Sequence, residues 1–127
     1  GKNIIQNYSM GNAVQFKVEA EKIMISLKQA SPIGLIINEL IANCLKYAFP
    51  GDRMGEIGLS LKAIKENGIE IAVSDNGVGI PDDFDLKTAD SLGLKLVKLL
   101  AEDQLDGSID MESNNGTKFT IKFNIET

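Results

Sequence analysis

Histidine is missing altogether from this 127-residue chain, and cysteine occurs once, at Cys44. Without an imidazole these residues hold no Ser-His-Asp or Cys-His site, no histidine-ligated metal and no phosphohistidine acceptor of their own. A lone cysteine forms no internal disulfide, which suits a reducing compartment. No apolar run approaches the roughly 20 residues that span a bilayer, and no signal peptide opens the chain. A cytoplasmic location without membrane contact is the expectation. Positive charge is also in short supply: 13 Lys and Arg against 18 Asp and Glu leave a net charge of -5. General nucleic-acid binding needs a basic face and is excluded on that ground. An anionic ligand stays open, because helix N-termini and backbone amides supply local positive potential. What the chain does have is ordinary. Its length and 43% hydrophobic content suit a single globular domain.

Residues 1–12 (GKNIIQNYSMGN) are polar, lack a clear period and read as the remnant of an upstream connection. Alternation over 13–19 and 22–27 predicts two strands with one buried face. Ser31-Pro32 marks a helix start, with Ser31 as N-cap, and Pro50-Gly51 stops a helix over Ile33–Phe49. Residues 56–65 alternate again, and Asn67-Gly68 predicts a two-residue hairpin turn into a strand over 69–75. A Gly-, Pro- and Asp-rich loop follows over 76–90. Leucines at helical spacing predict a helix over 91–104, capped by Ser91. Two more strands, 108–113 and 117–125, flank the turn Asn114-Asn115-Gly116. The pattern is that of an α/β two-layer sandwich, a mixed sheet of about five to six strands covered on one face by helices.

Four features bear chemistry. On the first helix Glu39, Asn43 and Lys46 fall within about 60° of one another, opposite Ile33, Ile37, Leu40, Ile41, Cys44 and Ala48. A carboxamide oxygen ligates a hard cation, a lysine neutralises phosphate, and a carboxylate orients or deprotonates a nucleophile. A solvated helix face with a chance charge pair accounts for the same stripe. Second, DNGVGIP (75–81) follows an apolar strand. There Asp75 is placed to accept from a base amino group, and Gly77 and Gly79 let the backbone approach a flat ring. A tight turn alone also uses Asp, Asn and Gly. Third, Gly93 in SLGL (91–94) opens a helix where amides can face a phosphate, although the leucines beside it read as core. Fourth, Thr117 in NNGTKFTI (114–121) offers a hydroxyl near Asp75, in what is otherwise a hairpin turn feeding a strand.

Taken in that order, the four motifs resemble the ATP-binding domain of sensor histidine kinases, members of the GHKL superfamily with the Bergerat sandwich. NELIANCLKYAF (38–49) resembles the N box, DNGVGI (75–80) the first glycine box, and the likeness runs over roughly 13–125. The resemblance implies ATP and Mg2+ as cofactors. It implies Glu39 as the catalytic carboxylate, Asn43 as the Mg2+ ligand and Lys46 as a phosphate contact, with Tyr47 near the ribose or phosphates. Asp75 reads the adenine amino group, Gly77 and Gly79 border the base, Gly93 and Leu94 belong to the phosphate cradle, and Thr117 completes the adenine network through water. The SLGL second box and a short lid over 80–92 are similar to one histidine-kinase subfamily. The domain expectation is 1–12 as linker and 13–127 as catalytic domain. The implied reaction is transfer of the γ-phosphoryl to a histidine on a separate dimerisation and phosphoacceptor domain of a parent kinase. A response regulator is an indirect partner, and the chain alone is expected to be a monomer. An anti-sigma-type serine kinase and a non-catalytic, nucleotide-dependent interaction module are the alternatives.

Overall fold

Backbone pairing and alternating burial build one sheet. The computed structural model describes residues 3–10, 14–45, 55–77, 92–113 and 116–125. The strands are β1 (Asn3–Met10), β2 (Val14–Glu21), β3 (Gly55–Ile64), β4 (Gly68–Asp75), β5 (Ser108–Ser113) and β6 (Thr117–Asn124). They form a six-stranded sheet in the order β1-β2-β3-β4-β6-β5. β2 and β3 pair in parallel and the other neighbours are antiparallel, so the sheet is mixed, as the sequence implies. Two helices, α1 (Leu27–Asn43) and α2 (Leu92–Leu99), supply the second layer. β6 shows the one-sided burial that a covered sheet demands. Thr117, Phe119, Ile121 and Phe123 are buried, while Lys118 and Lys122 are exposed. Ile69, Ile71 and Val73 of β4 share one core cluster with Ile36 and Leu40 of α1 and Val97 of α2. Each such side chain contributes about 1.5–3 kcal/mol on burial, and together they hold both helices to the end of β4 where the site lies.

Several elements depart from their expected bounds. Residues 3–10, where no strand was expected, pair with β2 along the whole of β1, from Asn3↔Glu21 to Met10↔Val14. An edge strand draws its order from one neighbour's backbone and needs no strong apolar period of its own. Residues 22–26 form no strand. Ile23 and Ile25 nonetheless pack against the core, and alternate burial of a loop mimics a strand's pattern. α1 begins at Leu27 rather than after Ser31. Ser26 is its N-cap, extended at ψ 151°, and its hydroxyl accepts from the Gln29 N–H at 3.3 Å. Pro32 therefore sits inside the helix and is buried. The buried Gln29 Nε2 donates to the Asn124 carbonyl at 2.9 Å, pinning the helix start to the end of β6. At the other end α1 stops at Asn43, and Cys44 is its C-cap. The β3–β4 turn spans three residues, 65–67, because Ile64 pairs with Gly68 and Lys65 takes a left-handed φ of 50°. The helix expected over 91–104 divides into α2 and a wide turn, Leu100–Gln104, closed by the Leu105 N–H on the Leu100 carbonyl at 2.9 Å. Ser91 lies outside the described residues.

Candidate active site

Two chain segments meet at the C-terminal end of α1. From the helix come Glu39 and Asn43, one turn apart and both half-buried, so this stripe is not a solvated face. Gly93 of α2 lies against both. A Cβ at that position would stand 2.6 Å from Glu39 Oε2 and 3.8 Å from Asn43 Nδ2. A side chain at this position would push the Glu39 carboxylate aside, so the second glycine motif packs directly on the carboxylate of the first helix. Asn43 Nδ2 is buried with no hydrogen-bond partner among the described residues. Leaving such an amide unpaired costs about 1–3 kcal/mol, a loss that a bound polar group would recover.

The second cluster forms around Asp75, the last residue of β4. Its Oδ1 accepts from the Gly77 N–H at 2.9 Å and from the Thr117 N–H at 3.3 Å. Strand register sets the second bond, because Asp75 pairs with Thr117 across β4 and β6. Gly116, at φ 124°, precedes it with its Cα against the Asp75 carbonyl. A side chain there would be strained by conformation and blocked by contact. Asn76 ties the same strand end to β3: its side-chain Oδ1 accepts from the Glu56 N–H at 2.7 Å, and its N–H donates to the Glu56 carbonyl at 3.2 Å. Cys44, 4% exposed, joins the two clusters. Burial pushes its thiol well above the ordinary range, and the Asp75 charge and a side-chain hydrogen bond to Asp75 raise it further.

The expected residues Glu39, Asn43 and Gly93 are therefore brought together, as are Asp75, Gly77 and Thr117. Leu94 is buried in the core, and the contact of Thr117 with Asp75 is made by its backbone N–H. Lys46, Tyr47 and Gly79 lie outside the described residues, with most of the lid. Three contributors escaped the sequence reading: Cys44, Asn76 and Gly116. The last two are each adjacent in sequence to a singled-out residue, Asp75 and Thr117. Cys44 had no such signal, having been assigned to the core by its helical phase.

Chemically, the first cluster offers a carboxylate and a carboxamide, oxygen ligands suited to a hard cation. Among the described residues no three His, Cys, Asp or Glu side chains group as a metal site. That donor set fits Mg2+, which takes one or two protein ligands and completes its shell with water and phosphate. Residues 28–127 match the model of the family described as histidine kinase-, DNA gyrase B- and HSP90-like ATPases. The chain belongs to this family. Among curated relatives of this histidine kinase-like ATPase, the sensor histidine kinase PdtaS of Mycobacterium tuberculosis is 33% identical over 97 residues, covering 74% of this chain and 19% of that protein. Blue-light-activated histidine kinase 2 of Erythrobacter litoralis is 29% identical over 90 residues, covering 71% of this chain and 26% of the relative. The solved structure of an E. litoralis blue-light-activated histidine kinase superposes with a TM-score of 0.84 at 26% identity, over 90% of this chain and 36% of that one. The chain thus spans about a quarter or less of these curated relatives. No described helix is long and apolar enough to cross a membrane.

Proposed function

We propose that this histidine kinase-like ATPase domain binds ATP with Mg2+ and transfers the γ-phosphoryl to a histidine on a separate phosphoacceptor domain, in a two-component system. The observation that carries the reading is the convergence of Glu39, Asn43 and Gly93 with the clamped Asp75 at one end of α1. Asp75 accepts from the adenine amino group, with Gly77 and Gly79 bordering the base and Thr117 supporting that network through water. Asn43 holds Mg2+, Lys46 neutralises phosphate, Tyr47 lies near the ribose or phosphates, and Gly93 with Leu94 shapes the phosphate end. Mg2+ neutralises the charge that develops on the transferring phosphoryl group. Glu39 orients the acceptor imidazole and takes its proton. Phosphoryl transfer leaves little covalent work to the protein, so these residues act by positioning and charge.

Two variants test the assignment. Asp75→Asn replaces an acceptor-only group with an amide that also donates, so calorimetry should show ATP affinity falling toward that for GTP. Glu39→Ala should retain most nucleotide binding and lose about 10²–10⁴-fold in transfer to the parent's acceptor domain. Unchanged ATP preference in the folded Asp75→Asn variant, or wild-type transfer by Glu39→Ala, would remove that residue from its role. The serine-protein kinase RsbW of Listeria monocytogenes, 28% identical over 98 residues, motivates the alternative substrate. Acid-stable label on a partner serine would favour it.

A further inference from the structure

We infer that Asn76 is a positioning residue for base selection: its side chain locks the turn that brings the Gly77 N–H onto Asp75, fixing that carboxylate for a purine with an amino group. The inference rests on the reading of Asp75 as the base-recognising residue. Regular pairing of β3 with β4 ends at Ile57↔Asp75. One rung further, Asn76 is bound to Glu56 by two hydrogen bonds. Its N–H donates to the Glu56 carbonyl at 3.2 Å, and its side-chain Oδ1 accepts from the Glu56 N–H at 2.7 Å. In an antiparallel ladder the second of these bonds belongs to a backbone carbonyl. The side-chain oxygen takes over that place, so residue 76 stays tied to β3 while the backbone turns away. The next N–H, that of Gly77, comes back to Asp75 Oδ1 at 2.9 Å, an Asx turn. The same oxygen accepts from the Thr117 N–H at 3.3 Å. The carboxylate is therefore held between two strands: β6 supplies one donor directly, and β3 sets the other through Asn76. Asn76 is exposed, so its side chain fills no core. An adenine amino group donates to a carboxylate held in this way. A guanine carbonyl in the same place sets acceptor against acceptor. A carboxylate free to swing aside relieves that clash, and one fixed from both sides does not, so the wrong base bears the penalty.

The test compares Asn76→Ala, Asn76→Leu and Asn76→Asp with the parent chain. Alanine and leucine remove the acceptor, leucine with little loss of volume, while aspartate keeps an oxygen for the Glu56 N–H. Amide hydrogen exchange reads the Gly77 N–H. Calorimetry measures ATP, GTP and inorganic tripolyphosphate with Mg2+, and thermal unfolding checks that each variant is folded. The expected result for Asn76→Ala and Asn76→Leu is faster exchange at Gly77 and an ATP-to-GTP affinity ratio about three- to tenfold lower, the worth of one hydrogen bond. Asn76→Asp should restore both, and tripolyphosphate affinity should stay the same in the two neutral variants. Loss of tripolyphosphate and ATP affinity together would mark a purely structural role and overturn the inference. So would an unchanged ratio or unchanged Gly77 exchange in a folded Asn76→Leu variant, or an Asn76→Asp variant that behaves like it. Asp75→Asn run alongside separates the two claims. If it abolishes the preference for ATP while Asn76→Leu does not, only the role of Asn76 falls. If it leaves the preference intact, the base reading and this inference fall together.

Discussion

Gly93 joins two motifs that are about fifty residues apart in sequence, and its missing side chain is what allows them to touch. The atom a Cβ would meet at 2.6 Å is Glu39 Oε2, the free end of a flexible side chain rather than backbone. Gly93→Ala should therefore displace the carboxylate without unfolding the protein. Alanine in place of glycine also favours a helix by about 0.8–1 kcal/mol, so thermal stability should change little or rise. Moving a positioned catalytic group by an ångström costs on the order of 10²-fold in rate. Phosphotransfer assays and thermal unfolding on the same variant should show transfer falling by about that factor with nucleotide affinity largely retained. Loss of transfer matched by loss of folding would contradict the account. Helical phase alone placed Glu39 and Asn43 on one stripe, which is why they were legible. The packing of Gly93 against them was not, because it depends on how α2 crosses α1. The Cys44 contact was hidden for a similar reason: a residue on the apolar side of a helix reads as filling, whatever lies at the strand end it reaches.

At the level of elements, legibility followed how local each signal was. β5 and β6 were readable within a residue or two because burial on one face imposes alternation along their own sequence, whereas β4, buried on both faces over Ile71–Val73, was readable from its apolar run and the turn signal before it. β1 was missed because its order comes from hydrogen bonds to β2, which leave little trace in its composition. The start of α1 was misplaced because two capping signals compete. Ser31-Pro32 has the favoured dipeptide, but Ser26 has a hydroxyl that reaches the Gln29 N–H, and the Gln29 side chain anchors that first turn to Asn124. A proline six residues into the helix forgoes one backbone bond, which the tertiary anchor offsets. The same layering makes α1 the element on which stability turns. Leu40 is fully buried between the sheet and α2, and lies one residue from Glu39. Leu40→Ala should lower stability by about 2–5 kcal/mol, measured by urea unfolding. Where the variant remains folded, nucleotide affinity should fall too, because the cavity lies under the stripe that carries Asn43. A cost below about 1 kcal/mol would mean that α1 is not seated as described.

The whole molecule presents both site clusters at one end of a single sandwich, and none of its residues is a histidine. On the proposed reading, that absence separates nucleotide handling from phosphoryl acceptance. Incubated with radiolabelled ATP and Mg2+, the chain should bind nucleotide and acquire no acid-labile label, because it holds no imidazole to take one. Supplied with the histidine-bearing domain of its parent protein as a separate polypeptide, it should label that domain in trans. The rate should be slow compared with a covalently joined pair. A linker holds donor and acceptor at millimolar effective concentration, and two free domains meet only at their bulk concentrations. Raising the acceptor domain toward the millimolar range should therefore accelerate labelling roughly in proportion. Glu39→Ala should suppress transfer at every acceptor concentration, since it removes a group from the reacting geometry rather than from the encounter. Acid-stable label on a serine of an added partner would redirect the reading to a serine kinase, and binding without transfer to any partner would redirect it to an interaction module. Label on this chain alone would overturn the phosphotransfer reading, because no residue in it can carry an acid-labile phosphoimidazole.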